Sequence, residues 1–165
     1  MIKTLNIPFA YKELDSPDEL NPDDRELLFS ARKVASAAYA PYSGFMVGAA
    51  VRLSSGKIIL GTNVENAAFP SGICAERNAL SNASSNHPED KPVAMAIAAM
   101  TDAGLSANTV SPCGNCRQVI AEEELRNGIN IRIILSGRNK IQIIEKGGAL
   151  LPLQFNSENL KFNPH

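Results

Sequence analysis

The chain has 165 residues, with 16 basic against 17 acidic side chains and a net charge of -1. Apolar residues make up 44% and charged residues 20%, the balance of a folded domain and not of a disordered chain. The near-neutral charge gives no electrostatic reason to hold a nucleic acid, and no apolar run approaches the roughly 20 residues of a membrane span. The first residues, Met1-Ile2-Lys3-Thr4-Leu5-Asn6-Ile7-Pro8, lack the long apolar stretch of a signal peptide, so a cytoplasmic protein is expected. A chain of this length suits one compact domain, which buries roughly 70% of its unfolded surface without a disulfide scaffold.

Residues 1–20 read as an arm, with Pro8, Pro17 and several charges but no sustained periodicity, and residues 21–165 as a single domain. Asn21-Pro22-Asp23-Asp24 signals a helix start: Asn21 as N-cap, Pro22 in the first turn, acids at the positive end. Leu27, Leu28, Ala31, Val34, Ala35 and Ala38 follow at helical spacing, which predicts an amphipathic helix ending near 39–41. Residues 45–53 and 57–64 are rich in strand formers, and Ser54-Ser55-Gly56 between them signals a hairpin. A helix is expected from Cys74 to about Asn82, then a polar loop to Pro92. A strand is expected over 92–100, although its alanines are poor strand formers. Residues 117–125 favour helix, 129–135 a buried strand and 140–144 a short edge strand. The order of elements predicts an α/β fold, a three-layer α/β/α sandwich opened by a hairpin.

The three cysteines are the most informative count. An odd number excludes a fully paired disulfide framework. Free cysteines often serve as small buried apolar residues, so their placement must carry any further reading. Cys113 and Cys116 stand in Pro112-Cys113-Gly114-Asn115-Cys116, a spacing that puts both sulfurs on one face of a first helical turn. Cys74 lies upstream with room for a helix and a strand to bring the chain back. Two helix N-termini meeting at one edge of the sheet would gather three sulfurs and favour their thiolate forms. Neither His87 nor His165 has the spacing of a fourth ligand. Three thiolates leave a zinc ion one open position for water, the arrangement of a catalytic rather than a structural site. Glu76 is two residues from Cys74, so it reaches that position only if Cys74 sits at the very start of its helix.

Cys74-Ala75-Glu76 followed by Pro112-Cys113-Gly114-Asn115-Cys116 resembles the zinc nucleobase deaminase signature, in which the glutamate is not a ligand. From about residue 24 to 155 the chain resembles the small homotetrameric cytidine deaminases. Three blocks carry the resemblance. They are Ala40-Pro41-Tyr42-Ser43-Gly44-Phe45-Met46-Val47-Gly48-Ala49-Ala50, then Gly61 through Asn63-Val64-Glu65-Asn66 to Cys74-Ala75-Glu76-Arg77, then Ser111 through Cys116 to Arg117-Gln118. The tail Leu150-Leu151-Pro152-Leu153-Gln154-Phe155 is similar to the end of that family.

The resemblance implies a five-stranded mixed sheet between helices, one Zn²⁺ per chain, and a homotetramer with shared active sites. It implies that Cys74, Cys113 and Cys116 bind zinc and that Glu76 shuttles protons. It gives Asn63 and Glu65 the ribose hydroxyls, Phe45 the face of the pyrimidine and the Ala75 backbone the base edge. Phe69 and Phe155 would approach the site from other subunits. Phe69 departs from the family, in which many members carry tyrosine there. Residue chemistry is compatible with these roles. Asn63 and Glu65, two apart, point the same way in an extended segment, and an amide with a carboxylate suits sugar hydroxyls. Without the resemblance they would read as solvated loop residues, and Phe45 as core. Three thiolates around Zn²⁺ carry a net negative charge that weakens a Lewis acid. Arg77 beside Glu76 would draw it off, the competing reading being a surface salt bridge.

The expected reaction is hydrolytic deamination of cytidine and deoxycytidine, with a nucleoside and water as partners and neither nucleic acid nor membrane. Other readings stay open: the same chemistry on another aminopyrimidine nucleoside such as blasticidin S, or a zinc-stabilised interaction protein without catalysis.

Overall fold

The computed structural model describes residues 1–160. In chain order its elements are β1 (Lys12–Leu14), α1 (Pro22–Ala35), β2 (Met46–Leu53), β3 (Ile58–Thr62), α2 (Ala75–Asn86), β4 (Pro92–Thr101), β5 (Gly104–Leu105), α3 (Gly114–Asn127), β6 (Arg132–Ser136) and β7 (Ile141–Ile144). They form one sheet in the order β1-β7-β6-β4-β2-β3, with β5 folded back on β4. The pair β4–β6 is parallel and the other pairings are antiparallel, so the sheet is mixed as expected.

The sheet has seven strands, not the expected five. Both additional strands are too short for a pattern of alternation to announce them. β1 lies inside the arm and is held by contacts remote in sequence. Lys12 Nζ bonds Glu145 Oε1 at 2.8 Å, and the Glu13 carboxylate receives Gln142 Nε2 at 2.9 Å and Lys140. β5 is a two-residue return on β4 through Gly104.

Local chemistry fixes the helix starts. The Asn21 side chain accepts the Asp24 N–H at 2.8 Å, with Pro22 in the first turn of α1. That helix stops at Ala35, earlier than its periodicity predicts, because Tyr39 is drawn into a bridge with Val64. The Tyr39 N–H bonds Asn63 O at 3.2 Å, and the Glu65 N–H bonds Tyr39 O at 2.8 Å. α2 instead runs past the expected end to Asn86, anchored by buried Ala83.

Alternation along β2 and β4 divides the core into two layers. Val51, Leu53, Met95 and Ile97 point to the side of α2 and α3, where they meet Leu80, Ile120, Ile133 and Leu135. Ala50, Ala94, Ala96 and Ala98 point to the other side and meet Leu27, Leu28 and Ala31 of α1. The alanines that weaken the strand signal in β4 are therefore the small-residue floor on which α1 lies. Gly48 belongs to the same floor: a Cβ there would stand 2.2 Å from Ala31 O. Gly61 does the equivalent for α2 on the other layer, where a Cβ would stand 2.4 Å from Ala79 N and 2.6 Å from Ala75 O.

The obstruction at position 61 is backbone, which cannot rotate away. Gly61→Ala is expected to cost about 3 kcal/mol, which for a chain of this size lowers Tm by about 6–12 °C. A thermal melt of the variant within about 2 °C of the parent would contradict this packing.

Candidate metal centre and active site

Cys74 is the N-cap of α2 and Cys113 the N-cap of α3. Cys116 completes the first turn of α3 and is fully buried. The two helices start at the same end of the sheet, beside the C-terminal ends of β3 and β4. Their first turns bring the three sulfurs together, all within 4.8 Å of one another. Cys74 Sγ lies 3.8 Å from Cys113 Sγ, which lies 3.6 Å from Cys116 Sγ.

These separations exclude disulfides, whose sulfurs are about 2.05 Å apart. They fit a shared metal: tetrahedral zinc with bonds of about 2.3 Å sets its sulfurs about 3.8 Å apart. Three soft thiolate donors suit zinc among the common divalent ions. No histidine joins the group among the described residues, and His165 lies outside them.

The three thiols differ in how readily they ionise. Burial pushes the Cys74 and Cys116 thiols up, and the nearby Glu76 carboxylate adds to the effect on both. Burial also works against ionising Cys113, but there the Cys116 N–H and the neighbouring thiols outweigh it and hold its pKa down. A divalent cation removes this conflict by stabilising all three thiolates together. Glu76, in the first turn of α2, is 5% exposed, and burial raises its carboxyl above the ordinary range. Its carboxylate is close enough to the Cys74 and Cys116 thiols to oppose their ionisation. The condition set by sequence spacing is therefore met: Cys74 stands at the helix start, and Glu76 turns back towards the sulfurs.

Asn63 and Glu65 continue the chain beyond β3, and their side chains serve the same loop. Asn63 Oδ1 accepts the Val47 N–H at 2.7 Å, and its Nδ2 donates to Phe45 O at 2.9 Å. Glu65 Oε2 accepts the N–H groups of Tyr42 at 2.9 Å and Ser43 at 3.3 Å. The Ser43 hydroxyl and then the Tyr42 N–H hold the Glu65 carboxyl below its usual range. A cleft of about 280 Å³ is lined by Asn63, Glu65, Phe69 and Cys74 among others. Phe69, 78% exposed, meets the Tyr42 ring edge-on, with centroids 6.3 Å apart. Phe45 is 37% exposed and Ala75 is buried in the first turn of α2. Phe155 is exposed in the tail, where its carbonyl accepts from Gln118 Nε2 at 2.7 Å.

The two arginines beside the site differ. Arg117 is committed to structure: its Nε donates to Pro112 O at 2.9 Å and its Nη1 to Leu150 O at 3.1 Å. Arg77, half-buried, has no hydrogen bond or ion pair among the described residues. Another cleft, of about 390 Å³, lies between Phe9, Tyr11 and Pro152, and two of its polar side chains, Arg117 and Gln142, are bonded within the chain.

Sequence reasoning assigned no role to Ser43 or Glu124. Ser43 had a local signal, since serine hydroxyls commonly bond a backbone N–H two residues on, as here with Phe45. Glu124, buried in α3, accepts the N–H groups of Ile131 at 2.7 Å and Gly148 at 3.0 Å. Those partners are set by the tertiary fold and leave no local pattern.

A model of the cytidine and deoxycytidylate deaminase zinc-binding region matches residues 21–129. A cytidine deaminase of Halalkalibacterium halodurans is 44% identical over 100 residues, covering 60% of this chain and 71% of that protein. One of Sporosarcina psychrophila is 43% identical over 100 residues, covering 61% and 69%. Among solved structures, cytidine deaminase from Burkholderia pseudomallei superposes with a TM-score of 0.68 at 34% identity, covering 79% of this chain and 97% of that one. The enzyme from Mycobacterium tuberculosis gives a TM-score of 0.64 at 29% identity, covering 82% and 99%. The matched region holds all three cysteines and Glu76, and agreement this extensive in sequence and fold makes the chain a member of the zinc-dependent cytidine deaminase family, and with that a hydrolase.

Proposed function

We propose that this chain converts cytidine and deoxycytidine to uridine and deoxyuridine by hydrolysis, releasing ammonia, as a step of pyrimidine salvage in the cytoplasm. The observation that carries the reading is the set of three convergent sulfurs with a buried carboxyl, Glu76, beside them. Residues 21–165 would form the catalytic domain and 1–20 its arm. The near-neutral charge supports a small nucleoside over a polyanion.

Cys74, Cys113 and Cys116 would hold one zinc per chain. When bound, zinc supplies Lewis-acid activation of a water molecule. Glu76 takes the proton that the attacking water loses as its oxygen adds to C4 of the pyrimidine. It delivers that proton to ring N3, then takes the second proton of the former water from the C4 hydroxyl and passes it to the leaving amine, so that ammonia departs and the carbonyl forms. Phe45 covers one face of the ring, and the backbone of Ala75 reads its polar edge. Asn63 and Glu65 each retain hydrogen-bonding capacity after holding the loop, enough to engage ribose hydroxyls. Arg77, without a partner among the described residues, is available to donate to the cysteine sulfurs and draw off their excess charge. Phe69 and Phe155 would complete neighbouring sites in a homotetramer, and their exposed rings support that assembly.

Glu76→Gln is expected to retain the metal and lose about 10²–10⁴-fold in kcat. Near-normal turnover of the metal-loaded variant would overturn the proton-transfer role. Elemental analysis should return one zinc per chain. Ultraviolet absorbance should fall on incubation with cytidine and with deoxycytidine, and a chelator should abolish the loss. Greater turnover of blasticidin S than of either nucleoside would redirect the substrate reading. Sedimentation of the active protein as a stable monomer would refute the shared sites.

A further inference from the structure

The Ser43 hydroxyl sits between two groups to which substrate contacts are given above. Its Oγ accepts the Phe45 N–H at 3.0 Å and donates to Glu65 Oε1. The direction of both bonds is fixed by chemistry: a backbone N–H cannot accept, and an ionised carboxylate cannot donate. The single hydroxyl proton therefore goes to Glu65, leaving an oxygen lone pair for Phe45. Glu65 is held independently by the N–H groups of Tyr42 and Ser43. Phe45 is held independently through its carbonyl by Asn63. The serine hydroxyl thus joins two groups, each of which keeps another hydrogen bond when that hydroxyl is removed.

We infer that Ser43 is a positioning residue that sets the spacing between the Phe45 ring and the Glu65 carboxylate. It thereby matches the distance between the base and the sugar of one nucleoside. The inference rests on the proposed contacts of Phe45 and Glu65 with substrate. Ser43 is exposed, so water can replace both of its bonds when the hydroxyl is removed. Removal therefore frees the two groups relative to each other without burying an unsatisfied one. The effect falls on binding geometry, not on the fold. Neither the cysteines nor Glu76 bonds Ser43, so the chemical step is spared.

The test is steady-state kinetics on cytidine with full-length, zinc-loaded protein. Ser43→Ala is expected to raise KM about five- to tenfold, the equivalent of one hydrogen bond, with kcat within about twofold and Tm unchanged. Ser43→Thr, which keeps the hydroxyl, should restore KM. In a Glu65→Ala background, Ser43→Ala should add less than about twofold, because the group it orients is gone. If Glu65→Ala raises KM but Ser43→Ala does not, the positioning role is overturned and the substrate contacts stand. Fully additive effects in the double variant, or a lowered Tm with KM unchanged, would also overturn it. If neither Phe45→Ala nor Glu65→Ala changes KM, the substrate reading fails and takes the inference with it.

Discussion

The architecture depends on how closely two helices approach the sheet. At Gly48 and Gly61 the sheet presents no side chain, and the helix backbones occupy the space that a Cβ would need. The contact at Gly61 has a direct chemical result. It seats the first turn of α2, and with it Cys74 and Glu76, against the end of β3, from which Asn63 and Glu65 extend. Cys74, Glu76 and the segment carrying Asn63 and Glu65 are therefore indexed to one strand. Rigid backbone packing of this kind holds a site more accurately than loop contacts can.

α3 makes the complementary arrangement. Its first turn carries Cys113 and Cys116, while its flank holds the C-terminal segment. Arg117 binds the Leu150 carbonyl, Gln118 the Phe155 carbonyl, and Glu124 the Gly148 N–H. Arg117 also closes the loop before Cys113 through Pro112 O. The sulfurs and the tail are parts of one packed unit, so a displacement of the tail is felt near the ligands. Two helix N-termini favour negative charge at the sulfurs, and burial opposes it. The cluster becomes favourable when a cation is shared among all three.

Much of this was readable from residue order. The N-cap at Asn21 needs only its neighbours, and the Cys113–Cys116 spacing fixes a shared face. The relation of Cys74 to Glu76 required Cys74 to begin a helix, and it does. The weak and the missed signals have physical causes. β4 looked weak because strand propensity describes side chains on a half-buried surface, whereas its alanines serve close packing on α1. β1 and β5 were missed because two or three residues carry no periodicity; partners over a hundred residues away decide β1, and a tight return on β4 makes β5. The loop over 42–47 is shaped by Asn63 and Glu65, whose side chains were read for substrate and also hold the backbone.

The short strand β1 bears on the protein's behaviour in a crowded solution. Without it the sheet would end on β7, whose Ile141 and Ile143 alternate along a regular backbone ready to accept a foreign strand. β1 covers that ladder with three residues, two of them charged, and its Lys12 and Glu13 are clasped by Glu145, Lys140 and Gln142. A brief, charged edge offers little for another chain to extend. The arm thus guards the molecule against edge-to-edge aggregation, at the side of the sheet opposite the β3 strand that leads into the catalytic centre.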